Sequence, residues 1–192
     1  MTNNQISGLI QASIAVKQQL LTDETVHQTI ITCVEAITKC FQLGGKVLFC
    51  GNGGSAADAQ HLAAEFSGRF YKNRKALPAE ALHCNTSYLT AVANDYSYDV
   101  IYARLVEGTA NNGDVLVGFS TSGNSTNIIK AMEAARNQGV ITVGFTGATG
   151  GAMKELSDYL FNVPSTDTPR IQESHILIGH IICQLVEANL FP

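Results

Sequence analysis

Residues 46–55 read KVLFCGNGGS and residues 115–125 read VLVGFSTSGNS, each an almost unbroken apolar run that stops on glycine, asparagine and serine. A strand with one wet face alternates apolar with polar residues, whereas a run that is apolar at nearly every position is a strand covered on both faces, as in a parallel sheet. Runs of the same kind at 79–83, 141–145 and 159–163 complete a set of five. Between them the period becomes helical: 55–66 follows the first strand, 127–138 the third and 169–190 the fifth, with shorter helical stretches at 87–93 and 98–108. Repeated strand–helix units predict an α/β fold, a doubly wound five-stranded parallel sheet with helices on both faces.

Upstream of the first strand, 5–43 is helical, with one apolar stripe on Ile6, Leu9, Ile10, Ser13, Val16 and Leu20 and a second on Ile30, Val34, Ile37 and Phe41. Thr22 and Asp23 separate two helices, and Gly44 and Gly45 end the region. The expected division is therefore an N-terminal helical pair over 1–44, used in oligomerisation, and the α/β unit over 45–192, a single structural domain overall. A chain of 192 residues is long enough for one hydrophobic core and short for two. The last helix is apolar nearly all round, with Ile176, Leu177, Ile178, Ile181, Ile182, Leu185 and Val186, so more than one of its sides is buried. An oligomer accounts for that; the alternative is that these helices cover only their own sheet.

Composition narrows the function. Hydrophobic residues at 45% and charged residues at 15% exclude an intrinsically disordered chain. A net charge of −4 without a Lys/Arg cluster argues against nucleic acid as a partner. No segment reaches the roughly 18 apolar residues of a membrane span, and MTNNQISGLI at the start has no basic run before an apolar stretch, so a soluble cytoplasmic protein is expected. Cys33, Cys40, Cys50, Cys84 and Cys183 are odd in number, lack CxxC spacing and lie mostly in apolar runs; they read as reduced, structural thiols.

The two turns can hold an anion. In Cys50-Gly51-Asn52-Gly53-Gly54-Ser55 the glycines let backbone approach a ligand, and the helix that follows offers free amides and a favourable dipole. Ser120-Thr121-Ser122-Gly123-Asn124-Ser125 sets four hydroxyls at the same sheet edge. Neither turn has the GxxxxGK[ST] or GxGxxG spacing, which argues against a nucleoside triphosphatase or a dinucleotide enzyme. With no lysine or magnesium carboxylate nearby, the cup suits a sugar phosphate that is bound and not cleaved there; simple helix capping is the alternative. Downstream, His61 and Glu65 stand at i and i+4 on one helix face. They form a surface pair, two ligands of a metal, or a base with its orienting partner. His180, at the end of RIQESHILIGH (170–180), is either a satisfied core histidine or a functional one.

GNGGSAADAQHLAAE (51–65), the Asn94-Asp95 pair, STSGNS (120–125) and RIQESHILIGH (170–180) together resemble the sugar isomerase (SIS) superfamily, and within it the phosphoheptose isomerases, over essentially the whole chain. The resemblance implies a flavodoxin-like SIS fold and an aldose–ketose isomerase converting sedoheptulose 7-phosphate to D-glycero-D-manno-heptose 7-phosphate. That reaction is the first step towards ADP-heptose and the lipopolysaccharide core. A cytoplasmic, zinc-containing homotetramer is implied as well. On the matching positions, His61, Glu65, Gln172 and His180 are the metal ligands, with Glu65 and His180 also the catalytic pair. Asn52, Gly53, Gly54, Ser55, Glu65, Asn94, Asp95, Ser120, Thr121, Ser122, Ser125 and Gln172 fall on substrate-binding positions, and Arg69 on a motif arginine. Pro169 stands where some relatives carry an acidic residue.

Two rival readings follow from the same resemblance. One is an SIS isomerase for a shorter sugar phosphate; the other is a non-catalytic SIS scaffold that binds the bacterial replication initiator. Such scaffolds lack the counterparts of Glu65 and His180, which this chain keeps. Gln172 and His180 are eight residues apart, about 12 Å of rise on a straight helix. Either they converge on one metal from above and below, or a neighbouring subunit supplies one of them; the apolar surroundings of the helix favour a site lined by more than one chain.

Overall fold

The computed structural model describes residues 2–192. Along the chain run α1 (Asn3–Thr22), α2 (Glu24–Gln42), β1 (Val47–Gly51), α3 (Gly54–Ser67), β2 (Ala79–Ala81), α4 (Thr86–Asp95), α5 (Ile101–Thr109), β3 (Val115–Phe119), α6 (Thr126–Asn137), β4 (Ile141–Thr146), β5 (Tyr159–Asn162) and α7 (Thr168–Leu190). The five strands form one sheet in the order β2-β1-β3-β4-β5, with every neighbouring pair parallel. The α/β class and the doubly wound parallel sheet expected from the apolar runs are what the chain forms.

Each strand feeds two cores because successive side chains point to opposite faces. Val47 and Phe49 of β1, with Val115, Val117 and Phe119 of β3, pack under α1, α2, α3 and α7. Leu48, Cys50 and Leu116 pack on the other face, under α4, α5 and α6. All five residues of β1 and of β3 are buried, the physical reason their sequences do not alternate. β2 stops two residues short of the expected strand, because Leu82 and His83 enter a turn closed by the Cys84 N–H donating to the Ala81 carbonyl at 3.2 Å. A 3-10 segment over Gly151–Leu156 has no periodic signal in the sequence; its Met153 is fully buried, and the Met153 N–H donates to the Gly123 carbonyl at 3.0 Å. Among the described residues all five cysteines are free; four are buried and Cys84 is exposed.

The N-terminal helices divide where expected, and Asp23 caps α2 by accepting from the Val26 N–H at 3.1 Å. Of the first stripe, Val16 and Leu20 are buried, while Ile6, Leu9 and Ile10 are between 50% and 66% exposed. Polar contacts fix α1 to α7: Ser13 Oγ donates to Glu173 at 2.6 Å, and Arg170 bridges the Leu9 carbonyl and Glu173. His175 anchors α7 to the sheet, its Nε2 lying 3.1 Å from the Thr146 carbonyl and its ring against Phe119 and Phe145. Burial lowers its pKa to about 4, partly opposed by that carbonyl, so this core histidine is neutral.

At Gly179, α7 lies tightly against α3. A Cβ there would lie 2.4 Å from Leu62 Cδ1 and 2.9 Å from Cδ2, so Leu62, itself 2% exposed, would have to shift. His61 precedes Leu62 and His180 follows Gly179, so this contact sets how near the two histidines come. Gly179→Ala gains about 1 kcal/mol of helix propensity and incurs an overpacking cost of about 1–3 kcal/mol. A net loss of stability is expected in chemical denaturation. In a Leu62→Ala background the same substitution should be neutral or stabilising, and an equal loss in both backgrounds would contradict the contact.

Candidate active site

Strand order reverses between β1 and β3, and Gly51 pairs with Phe119, so the two polar turns leave the sheet side by side. Gly53 begins α3 at φ 56°, a left-handed value that glycine adopts without strain, and among the described residues no side chain caps this helix. A Cβ on Gly54 would meet Gln172 Nε2 at 2.7 Å; Gln172 of α7 thus lies directly against the opening turn of α3. Ser55 is 4% exposed.

The second turn gathers its hydroxyls. Ser120 Oγ lies 2.9 Å from Ser125 Oγ and 3.3 Å from Ser122 Oγ, while the Thr121 carbonyl accepts from the Gly147 N–H at 2.9 Å. Ser125 begins α6 without a side-chain cap among the described residues, which leaves this helix end open as well. A reciprocal amide pair joins the two turns. Asn52 Nδ2 donates to Asn127 Oδ1 at 2.9 Å, and Asn127 Nδ2 donates to Asn52 Oδ1 at 2.8 Å. The Tyr98 hydroxyl donates to the same Asn52 oxygen at 3.1 Å. Sequence reading singled out neither Asn127 nor Tyr98; the only signal is an asparagine in the first turn of an otherwise apolar helix face.

Across from these turns α3 and α7 bring three titratable groups together. His61 Nε2 is 2.9 Å from His180 Nε2 and 3.2 Å from Glu65 Oε1. One ligand atom from each of the three lies within 4.8 Å of the others. A tetrahedral ion with bonds of about 2.0–2.1 Å to nitrogen separates two such nitrogens by about 3.3 Å, so the donor types and spacing fit one divalent cation. Burial, and then the neighbouring His61 ring, lower the pKa of His180, with Glu65 pulling the other way. Three residues before His61, burial pushes the Asp58 carboxyl up to about 6, opposed by His61, and its Oδ2 is buried without a partner.

The remaining candidates stand apart. Asn94 and Asp95, exposed at the end of α4, hydrogen-bond to each other at 2.9 Å. Arg69 is exposed in the loop after α3. The eight-residue spacing of Gln172 and His180 calls for a second chain only if both must reach one point; His61, Glu65 and His180 close within one chain. Among the described residues no helix is long and apolar enough to cross a membrane.

A family model described as the SIS domain matches residues 11–147. The chain is 52% identical over 189 residues to a phosphoheptose isomerase of Aneurinibacillus thermoaerophilus, covering 98% of this chain and 96% of that one. Among solved structures it is similar to a phosphoheptose isomerase from Neisseria gonorrhoeae, with TM-score 0.90, 40% identity, and 96% and 98% of the two chains covered. It is also similar to one from Francisella tularensis, with TM-score 0.93, 34% identity, and 98% and 100% covered. The chain therefore belongs to the SIS-domain family and, within it, to the phosphoheptose isomerases.

Proposed function

We propose that this sugar-phosphate isomerase interconverts sedoheptulose 7-phosphate and D-glycero-D-manno-heptose 7-phosphate through an enediolate, opening the route to ADP-heptose and the lipopolysaccharide core. The observation that carries the reading is the His61–Glu65–His180 cluster beside two hydroxyl- and amide-lined turns. The likeness to proteins named phosphoheptose isomerase supports a seven-carbon substrate.

The reaction moves a proton between C1 and C2, which needs a base over those carbons and a means of holding negative charge on oxygen. Glu65 is the base. Its Oε1 faces the His61 ring, so Oε2 is the atom that takes the proton from one carbon and returns it to the other. His180 exchanges protons with the hydroxyl oxygens and assists ring opening; its lowered pKa favours the neutral ring at pH 7, able to accept a proton. His61, Glu65 and His180 would hold zinc, with Gln172 as the further ligand that the family resemblance implies, and the ion would supply Lewis-acid stabilisation of charge on the sugar oxygens. Asn52, Gly53, Gly54 and Ser55 with Ser120, Thr121, Ser122 and Ser125 receive the phosphate and the sugar chain, and Asn94 and Asp95 close on the substrate from α4.

The working protein is a cytoplasmic homotetramer in which 1–44 and the outer side of α7 pack on other copies. Ile6, Leu9, Ile10 and Ile14 on α1 and Leu177 and Leu185 on α7, all at least 36% exposed, support that reading.

A comparative assay tests the substrate: kcat/KM is expected to be highest for sedoheptulose 7-phosphate, and preference for a pentose or hexose phosphate would move the chain to the shorter-substrate branch. Binding of the replication initiator with no isomerase turnover would instead make it a scaffold. Glu65→Gln should fold normally and lose at least about a hundredfold in kcat; near wild-type turnover would remove Glu65 as the base. Ser55→Ala and Ser120→Ala should raise KM with little change in kcat, because contacts to a remote phosphate act about equally in the ground and transition states. A fall in kcat at constant KM would show that the cup is misassigned.

A further inference from the structure

Beyond the site, α7 carries a buried carboxylate that the mechanism does not use. Glu187 stands seven residues after His180, two turns on and on the same helix face. It is paired with Arg74 at 2.9 Å, the two side chains being 3% and 2% exposed. The Glu187 oxygens also accept three consecutive backbone amides, from Phe70 at 3.2 Å, Tyr71 at 2.8 Å and Lys72 at 2.9 Å. Burial alone would raise this carboxyl; the Lys72 and Phe70 amides, the Arg74 guanidinium and the Tyr71 amide overcome it and hold the group below the usual carboxylate range.

Arg74 works in the opposite direction along the chain. Its guanidinium donates to the Glu65 carbonyl at 2.7 Å, the Phe66 carbonyl at 2.8 Å and the Gly68 carbonyl at 3.2 Å. Glu65 and Phe66 belong to the last turn of α3, whose carbonyls have no partners within the helix and whose backbone would otherwise fray. The loop that Glu187 gathers places the Phe70 ring 5.7 Å from the His180 ring at an interplanar angle of 30°. One buried ion pair thus touches the backbone of Glu65 and the wall behind His180.

We propose that Arg74 and Glu187 are positioning residues for the isomerase site, with Phe70 as the contact that carries their effect to His180. A buried pair loses hydration, and apolar residues of like volume are often as stable or more so. Its return here is geometry: the planar fork of Arg74 holds the turn bearing Glu65, and the carboxylate holds Phe70 against His180. The inference rests on the isomerase reading for its kinetic consequence; its structural consequence, the placement of His180 and of the cation-binding cluster, is independent of substrate.

The test uses the full chain with Glu187→Gln and Phe70→Leu. Three readouts are taken: kcat and KM for sedoheptulose 7-phosphate, zinc affinity by titration, and the imidazole nitrogen resonances of His61 and His180. Both variants are expected to lose about ten- to a hundredfold in kcat and in zinc affinity. KM should stay within about threefold, because the phosphate cup sits at the N-terminal ends of α3 and α6, away from the last turn of α3 that Arg74 holds, and the His180 resonances should move. A folded Glu187→Gln chain with a lowered Tm but wild-type kcat, zinc affinity and His180 resonances would make the pair a stability element only. Should Glu187→Gln fail to fold, Phe70→Leu decides, since it leaves the ion pair and its amide bonds in place; unchanged turnover and resonances there overturn the proposal. A wild-type chain that does not turn over the sugar would refute the isomerase reading alone, and the resonances and zinc affinity would still decide this one.

Discussion

The arrangement depends on how closely α3 can lie against α7. Gly179 presents no side chain, Leu62 fills the space, and the residues flanking that contact are the two histidines. A side chain at Gly179 would press on Leu62 and so on the spacing of the helices that carry His61 and His180. Everything that orients α7 therefore bears on the site: His175 fastened to the Thr146 carbonyl, Glu173 and Arg170 fastened to α1, and Glu187 fastened to the loop after α3. The helix is a rod with a functional group at its middle and anchors on either side.

The sheet supplies the other half. Because strand order reverses between β1 and β3, two turns with open helix ends meet, and the Asn52–Asn127 amide pair fixes their separation. The half-buried Asn52 and the buried Asn127 satisfy one another's amides, so the pair is neutral and supports an anionic ligand without competing for it. The cup sits at the N-terminal ends of α3 and α6, while the cluster lies about two turns further along α3 and on α7. Binding of a phosphate and chemistry at the far end of a sugar chain can accordingly be lost separately.

Much of this was legible in the sequence. The strand residues that need cover on both faces carry no polar alternation, so β1 and β3 emerge within a residue of their bounds, and the glycine- and serine-rich turns follow directly. His61 and Glu65 were legible because i, i+4 spacing is local. Long-range pairings were not. Arg74 lies in a loop with no period, 113 residues from the carboxylate it meets, and Asn127 meets Asn52 across 75 residues. Glu187 left one trace, a charge on the buried stripe of an apolar helix, a position at which an unpaired carboxylate would be too costly to keep. The stripe on α1 shows the reverse limit: its period announced an apolar face correctly, while half of that face finds no cover within the chain.

The claim on which the rest turns is that His61, Glu65 and His180 form one cation site within a chain and that this site carries the isomerisation. Stoichiometric titration of zinc into the chelated protein, with bound metal and turnover of sedoheptulose 7-phosphate followed in the same samples, tests it most directly. The account predicts one zinc ion per chain, activity rising in proportion to the metal bound, and loss of both in His61→Ala. Full turnover by the metal-free protein, or undiminished zinc binding by His61→Ala, would contradict it.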